Sequence, residues 1–285
     1  MEDVPWFRSK LLVALDASSA TGAVVSWGLG GPRVGALSRV QLEAGAVVPS
    51  AVEPNIARPE SVREALASVR EALGTNGRRV VLVLPEGVSR TLLVDAPPRV
   101  RVQEYARFRV SQALPYPASE AIVDALPLGG RRHLCAAVRR GLVEGYEAAL
   151  GSVGFTLDRV DLAPLAAVAG LHRQAATGDS GVALILGDVA VSLAGFRSGR
   201  LDVFRTRRRD GGSDEAERLR EEILRTAALM GADAPRRIAI AGSGTVSIVE
   251  RLRDLGCMAE PAWRAEAHGL PVEAAELAWL GAALG

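Results

Sequence analysis

The residues best suited to chemistry form a short polar turn near the start of the chain. An apolar run at residues 10–15 ends at Asp16, and Ser18 and Ser19 precede a second apolar run at 22–27. In such a strand–turn–strand the turn amides face an anion, serine hydroxyls add hydrogen bonds, and the aspartate holds a metal ion or its waters. The turn is therefore a candidate phosphate site, although the same residues are also common in ordinary hairpin turns.

A second turn follows the apolar run at residues 182–186. It contains Gly187 and Asp188, but it offers no hydroxyl donor before Ser192. A phosphate-binding turn needs donors at this point, so the pattern favours a structural hairpin.

A third turn, with Gly242, Ser243 and Gly244, lies between an apolar strand and a helix. Glycine allows close backbone approach, and a helix N-terminus favours an anion. The turn is not a GxGxxG motif and no acid follows at the spacing that would bind a ribose, so a dinucleotide-binding fold is not supported.

Several other kinds of chemistry are not indicated. Lys10 is the only lysine, so the chain lacks a Walker A motif, and a Schiff-base lysine would have to be Lys10 itself. The cysteines and histidines occur singly and far apart, at Cys135, Cys257, His133, His172 and His268. We interpret them as buried thiols and ordinary imidazoles, and we predict no metal site and no catalytic residue.

The basic run at residues 205–209 is offset by Asp210, Asp214 and Glu215, and we interpret it as a solvated face. The 285-residue chain is 48% hydrophobic and 24% charged with a net charge of +1, which is typical of a globular protein and does not favour nucleic-acid binding. Its first residues do not resemble a secretion signal, and its apolar runs are too short for a membrane helix. We therefore expect a cytoplasmic protein that reaches a membrane only through a partner.

The apolar pattern alternates strands and helices, which is typical of a layered α/β protein. Strands are predicted at 10–15, 22–27, 79–84, 182–186, 190–196, 201–205 and 237–241, with helices at 59–73, 164–174, 215–230, 245–255 and 272–284. The segment 86–162 has short strands at 91–94, 122–126, 134–138 and 160–162 and helices at 103–113 and 142–153. It looks like a small α+β unit inserted into a larger frame, and the frame itself looks like two related halves.

Two segments of that unit carry a family resemblance. Residues 112–124 contain a Pro-Tyr-Pro and a Glu-x-x-x-Asp, and residues 136–166 read as a strand, a helix, a glycine turn and a returning strand. Together with the turn at 242–244 and the closing segment 279–285, they resemble the PilM family of the actin-like ATPase superfamily, which is related to FtsA and to the cytoplasmic domain of the type II secretion L protein. The resemblance implies an actin-like, ribonuclease H-like two-domain α/β fold with an inserted subdomain. We expect domain I at 1–178 with the insertion at about 86–162, domain II at 179–270, and a terminal helix at 271–285 that returns to domain I.

The chain also departs from the family pattern. Ala17 stands where the first turn of the family has an Ile-Gly pair, and Ile185 falls where the second turn has an acid, with Asp188 displaced beyond Gly187. Residues 211–237 hold one long helix where the family has several that close over the adenosine. We therefore predict a weakened nucleotide site without most of the adenosine-side subdomain.

The resemblance implies a scaffold of a type IV pilus or related secretion platform, peripheral to the inner membrane. It would bind the cytoplasmic N-terminal segment of a PilN-like bitopic membrane protein near Tyr105, Tyr116, Arg139 and Tyr146, and the resemblance also allows self-association. We expect no cofactor and no catalytic activity. The alternative is an actin-like ATPase that binds ATP and Mg²⁺. Its nucleotide-binding residues would be Asp16, Ser18, Ser19, Gly187, Gly242, Ser243 and Gly244.

Overall fold

The computed structural model describes residues 9–28, 31–74, 76–174, 181–231, 237–262, 277 and 279–280. Its strands are β1 (Ser9–Leu15), β2 (Ser19–Gly28), β3 (Gly31–Gln41), β4 (Arg79–Leu84), β5 (Ser89–Asp95), β6 (Ala121–Pro127), β7 (Arg132–Arg139), β8 (Thr156–Leu162), β9 (Gly181–Leu186), β10 (Ala190–Arg197), β11 (Arg200–Arg208), β12 (Ile238–Gly242) and β13 (Ala259–Pro261). Its α-helices are α1 (Pro59–Leu73), α2 (Val102–Ser111), α3 (Arg140–Ser152), α4 (Ala163–Gln174), α5 (Glu215–Leu229) and α6 (Thr245–Asp254).

Two five-stranded sheets repeat the same topology. The first has the order β3-β2-β1-β4-β8 and the second the order β11-β10-β9-β12-β13. Each begins with an antiparallel three-stranded meander and adds two strands parallel to the first strand of that meander. The prediction of two related halves in an α/β protein is therefore confirmed.

Both sheets are covered on their two faces, which explains the nearly unbroken apolar sequence of their central strands. In β4, Val81 and Val83 point to one cluster of buried side chains, while Val80, Leu82 and Leu84 point to another. The first of these clusters also contains Ala183 and Ile185 of β9. This shared cluster lies between the two sheets, so one apolar layer holds the halves together.

Helix α1 packs directly on the first meander. Pro59 stands in its first turn, and Gly74 ends it in the left-handed conformation, with its N–H 3.0 Å from the carbonyl oxygen of Glu71. A Cβ atom on Gly22 of β2 would lie 2.5 Å from a methyl carbon of Val69. Only glycine therefore lets the helix approach the strand so closely.

A separate three-stranded sheet, of order β5-β7-β6, forms the unit predicted to be inserted. Helix α2 covers one face of this sheet, where Ala106 and Val110 pack against Cys135 and Ala137. Arg132 lies 2.6 Å from the carboxylate of Asp202, so an ion pair joins the three-stranded unit to the second half of the chain. Along the chain, β7 is the last strand of the small sheet. Strand β8, which the sequence analysis included in the insertion, instead pairs with β4 in the first five-stranded sheet.

Two strands of the structure, β3 and β13, were not predicted from the sequence. Strand β3 has no regular apolar alternation and includes Gly35 and Arg39, but it pairs with β2 along its whole length, so tertiary pairing defines it. The expectation of one long helix at 211–237 agrees with the described part of that segment, where α5 is the one helix. The predicted helix at 272–284 lies mostly outside the described residues, although Leu277, Trp279 and Leu280 are buried in the layer between the sheets.

Candidate functional site

Four strand ends meet in a cleft between the two sheets. Strands β1 and β4 run parallel in the first sheet, and β9 and β12 run parallel in the second. Open α/β sheets bind ligands beyond the carboxyl ends of parallel strands. Here the turns beyond those ends bring together Asp16, Glu86, Asp188 and Ser243.

The first turn is closed by its own backbone. The Asp16 N–H donates to the carbonyl oxygen of Ser19 at 2.9 Å, and the Asp16 carboxylate accepts the N–H of Ala17 at 2.8 Å. The Ser19 side chain is buried and its hydroxyl oxygen accepts a hydrogen bond from Arg39 at 3.2 Å. The backbone N–H of Ser18 donates to Asp188 in the second half of the chain.

The second and third turns touch the cleft through glycines. A Cβ atom on Gly187 would lie 2.3 Å from a carboxyl oxygen of Glu86, so the turns after β4 and β9 are in close contact. Gly242 has φ +105°, and a Cβ there would lie 2.0 Å from the carbonyl oxygen of Leu186. Position 242 therefore requires glycine, and a side chain at position 187 would have to displace Glu86. Gly244 also has positive φ and precedes α6 as its N-cap.

Asp188 lies between the first and third turns. One of its carboxylate oxygens accepts the N–H of Ser18 at 3.1 Å, and the other accepts the hydroxyl of Ser243 at 2.8 Å. These donors belong to the two turns that the sequence suggested for phosphate. The second turn is therefore more than a structural hairpin, and the interpretation made from its sequence was incomplete. Ile185 is fully buried between the sheets.

Arg209 ties the second and third turns together. Its Nη1 donates to the carbonyl oxygens of Gly187 at 2.8 Å and of Ser243 at 2.9 Å, and its Nε donates to the Glu215 carboxylate at 2.6 Å. The side chain is 13% exposed. The interpretation of residues 205–209 as a solvated face is therefore wrong for Arg209, and also for Arg205, which forms a partly buried ion pair with Glu222. Arg208, by contrast, is 87% exposed.

The buried carboxyl groups of the cleft hold protons more tightly than exposed ones. Burial, and then the charge of Asp188, raise the pKa of Asp16 to about 6. Burial, and then the charge of Asp16, raise the pKa of Glu86 to about 8. Glu86 therefore carries its proton at neutral pH while Asp16 is mostly ionised. Glu86 was missed by the sequence analysis, although the signal that singled out Asp16 also applies to it: an acid just beyond a buried strand.

The space left in the cleft is small. The cavity lined by Asp16, Ser19, Glu86 and Ser243 has a volume of about 40 Å³. A water needs roughly 10–15 Å³ measured in this way, and ligand pockets are on the order of 300–1,000 Å³. In this conformation the cleft has room for a few waters. Of the seven residues predicted for nucleotide binding, Asp16, Ser19 and Ser243 line this closed cavity. Ser18, Gly187, Gly242 and Gly244 belong to the same turns but do not line it. Among the described residues no cluster of three or more Asp, Glu, His or Cys side chains has the geometry of a metal site.

A larger concave surface lies at the junction of the first half and the three-stranded unit. We call it the partner groove, and its volume is about 400 Å³. It is lined by Val52, Pro54, Ser119, Glu120, Arg139, Arg140, Gly141, Leu142 and Glu144. Arg139 is central: it forms an ion pair with Glu120 at 2.7 Å, donates to the carbonyl oxygen of Val52, and lies over the ring of Tyr116.

The four residues predicted for partner binding have different surroundings. Arg139 lines the groove, and Tyr116 lies beneath it, mostly buried. Tyr146 is 1% exposed, and its hydroxyl accepts a hydrogen bond from Asn55 at 3.2 Å. In this structure it is a core residue, so its side chain is not available for direct contact with a partner. Tyr105 is on α2, where its hydroxyl accepts a hydrogen bond from Arg109, and it does not line the groove.

None of the helices in the described part of the chain combines the length and the hydropathy needed to span a bilayer. No protein-family model and no curated protein sequence matches this chain.

Solved structures, by contrast, do match. The chain is similar to a structure of the "PilM-PilN type IV pilus biogenesis complex", with a TM-score of 0.70 and 19% identity over 96% of this chain and 97% of that one. It is also similar to a Bacteroides thetaiotaomicron protein of actin-like ATPase fold and unknown function, with a TM-score of 0.60 and 9% identity over 90% of each chain. The cytoplasmic domain of Vibrio cholerae EpsL, a type II secretion component, matches with a TM-score of 0.49 and 14% identity over 82% of each chain. The first two likenesses confirm that the chain has the predicted actin-like α/β fold.

Proposed function

We propose that this protein is a cytoplasmic, non-enzymatic scaffold of a type IV pilus or related secretion platform. In this role it binds the cytoplasmic N-terminal segment of a PilN-like membrane protein in the partner groove, and it meets the inner membrane through that protein. The observation that carries the proposal is the open groove beside the three-stranded unit, in a chain with the fold found in a PilM–PilN complex.

The shape of the groove suits a short extended peptide. Its volume of about 400 Å³ lies within the range of ligand pockets. Val52 and Pro54 supply an apolar wall, and Arg139, as the N-cap of α3, makes no side-chain capping bond. The first N–H groups of α3 can therefore donate to peptide carbonyl oxygens.

An edge strand extends from the groove. Strand β6 begins at Ala121, next to Glu120, and within the described residues it pairs only with β7. Its Ile122 is 40% exposed and its Leu126 is 51% exposed. A peptide that leaves the groove could add to this edge as a further strand, with its apolar side chains covering these two.

Two glycines of α3 offer a direct test. A Cβ atom on Gly141, in the groove, or on Gly151, ten residues along the helix, would meet no atom within 4 Å. Ten helical residues span about 15 Å, so the second position lies well away from the groove. We expect Gly141→Leu to weaken binding of the N-terminal peptide of the neighbouring membrane protein at least tenfold in calorimetry. Gly151→Leu should bind like the wild type. Unchanged binding in both variants would show that the peptide does not bind in the groove.

The same titration separates a scaffold from a nucleotide-dependent protein. The closed cleft and Ile185 at the acid position argue that peptide binding does not depend on nucleotide. We expect equal peptide affinity with and without ATP and Mg²⁺. Binding that required both would overturn the scaffold proposal.

A second candidate function is ATP binding or hydrolysis. It is favoured by the convergence of the turns that carry Asp16, Gly187 and Ser243 at one cleft. This function would need the cleft to open well beyond its present volume of about 40 Å³. Direct titration of ATP tests it: no heat of binding at millimolar ATP excludes it, and saturable binding supports it.

A further inference from the structure

We propose that the carboxylate of Asp188 is an internal ligand of an oxyanion site, in which it takes the position of a phosphate and holds the cleft closed without nucleotide. The proposal rests on the contacts of Asp188 and does not depend on partner binding.

The donors around Asp188 are those of an oxyanion site. A backbone N–H from the turn after β1 and a serine hydroxyl from the turn after β12 converge on its two oxygens, at 3.1 Å and 2.8 Å. A phosphate between two such turns is bound in the same way, by a backbone amide on one side and a hydroxyl on the other. Because the carboxylate already accepts both hydrogen bonds, a phosphate would have to displace it.

The contact joins the two halves of the chain. Ser18 and Asp188 are 170 residues apart, so this hydrogen bond links the first turn directly to the second half of the chain. The neighbouring turns are fixed as well, because Arg209 holds the carbonyl oxygens of Gly187 and Ser243. The backbone therefore presents Asp188 to Ser18 in a fixed position. A nucleotide whose phosphates bridge the two halves would make the same connection, here supplied by a side chain.

The charges nearby define what this site can bind. Asp16 repels a second anion, whereas Arg39 and Arg209 attract one, and Glu86 is protonated at neutral pH. Beside Asp16, this balance accommodates one further carboxylate, that of Asp188. A polyphosphate placed beside the Asp188 carboxylate would add several charges to the same space. Removing that carboxylate should therefore leave a site for a small oxyanion such as inorganic phosphate.

Chemical rescue tests this assignment in the full-length chain. Asp188→Ala should melt at a lower temperature than the wild type in sodium chloride. Inorganic phosphate at matched ionic strength should then raise the melting temperature of the variant by several degrees more than that of the wild type. A ligand that binds only the folded state stabilises it by RT ln(1 + [L]/Kd), so the rescue should grow with phosphate concentration. The double variant Asp188→Ala/Ser243→Ala, which lacks one donor, should show a clearly smaller rescue.

A second variant covers the case in which Asp188→Ala does not fold. Asp188→Asn keeps the shape but has a single acceptor oxygen, so it should also lose stability. The amide resonance of Ser18 should shift with phosphate in whichever variant folds and remain unchanged in the wild type. Equal effects of phosphate on the wild type and the variants, or an Asp188→Ala chain as stable as the wild type, would overturn the proposal.

Discussion

The buried acid Glu86 predicts an unusual dependence of stability on pH. Its side chain is buried where the turns after β4 and β9 meet, and its pKa is raised from 4.5 to about 8. Between pH 4.5 and about 8, Glu86 is protonated in the folded chain and ionised in the unfolded chain. The free energy of unfolding therefore falls as pH rises through this window, and the stabilisation from the bound proton is fully present only below pH 4.5.

The size of the effect follows from the two pKa values. Because the pKa of Glu86 is about 8 in the folded chain, proton binding to this group favours the folded state about 100-fold at pH 6 and hardly at all at pH 9. The wild type should thus lose roughly 2–3 kcal/mol of stability between these pH values through this one group. Asp16, whose pKa is about 6, adds a smaller loss at the acid end of the range.

The substitution Glu86→Gln removes the titrating group and keeps its size. We expect the variant to be more stable than the wild type at pH 9, with a flatter pH profile, because a neutral amide avoids the cost of a buried charge. Urea unfolding at pH 6, 7, 8 and 9 measures this, with Glu71→Gln on the exposed face of α1 as the control. Parallel profiles for the wild type and Glu86→Gln would refute the argument.

Two further predictions concern close packing around the cleft and the partner groove. Gly187→Ala should lower the free energy of unfolding in urea by about 1–3 kcal/mol, because its Cβ would lie 2.3 Å from Glu86. The control Gly145→Ala meets open space on α3 and should raise the free energy of unfolding by about 0.5–1 kcal/mol. Similar changes in both variants would contradict the close packing at Gly187. Tyr146→Phe should cost about 1–3 kcal/mol, because it leaves the amide of Asn55 without its buried partner, and the control Tyr105→Phe should change stability by less than about 0.5 kcal/mol. A silent Tyr146→Phe would show that this hydrogen bond is not important for stability.

Local patterns in the sequence were enough for most of the secondary structure and for the α/β class. The valine and leucine runs of β4 and β9 predict strands covered on both faces, and the helical spacing in α1 and α5 predicts amphipathic helices. The resemblance of segments such as 112–124 and 136–166 to a known family then implied the actin-like fold, which the structural likenesses confirm. Periodicity is informative here because burial repeats with the geometry of each element.

The sequence also suggested Asp16, Ser18 and the turn at 242–244 as candidates for phosphate binding, because aspartate, serine and glycine after a strand are local signals. It could not show what those groups bind. Asp188 meets Ser18 across 170 residues, and Glu86 meets Gly187 through the packing of two separate sheets. Arg209 looked like part of a solvated basic run, and Tyr146 looked available to a partner, until their neighbours in space were known. Burial, the raised pKa of Glu86 and the closure of the cleft all depend on which distant segments the fold brings together, and for that reason only the tertiary structure decided them.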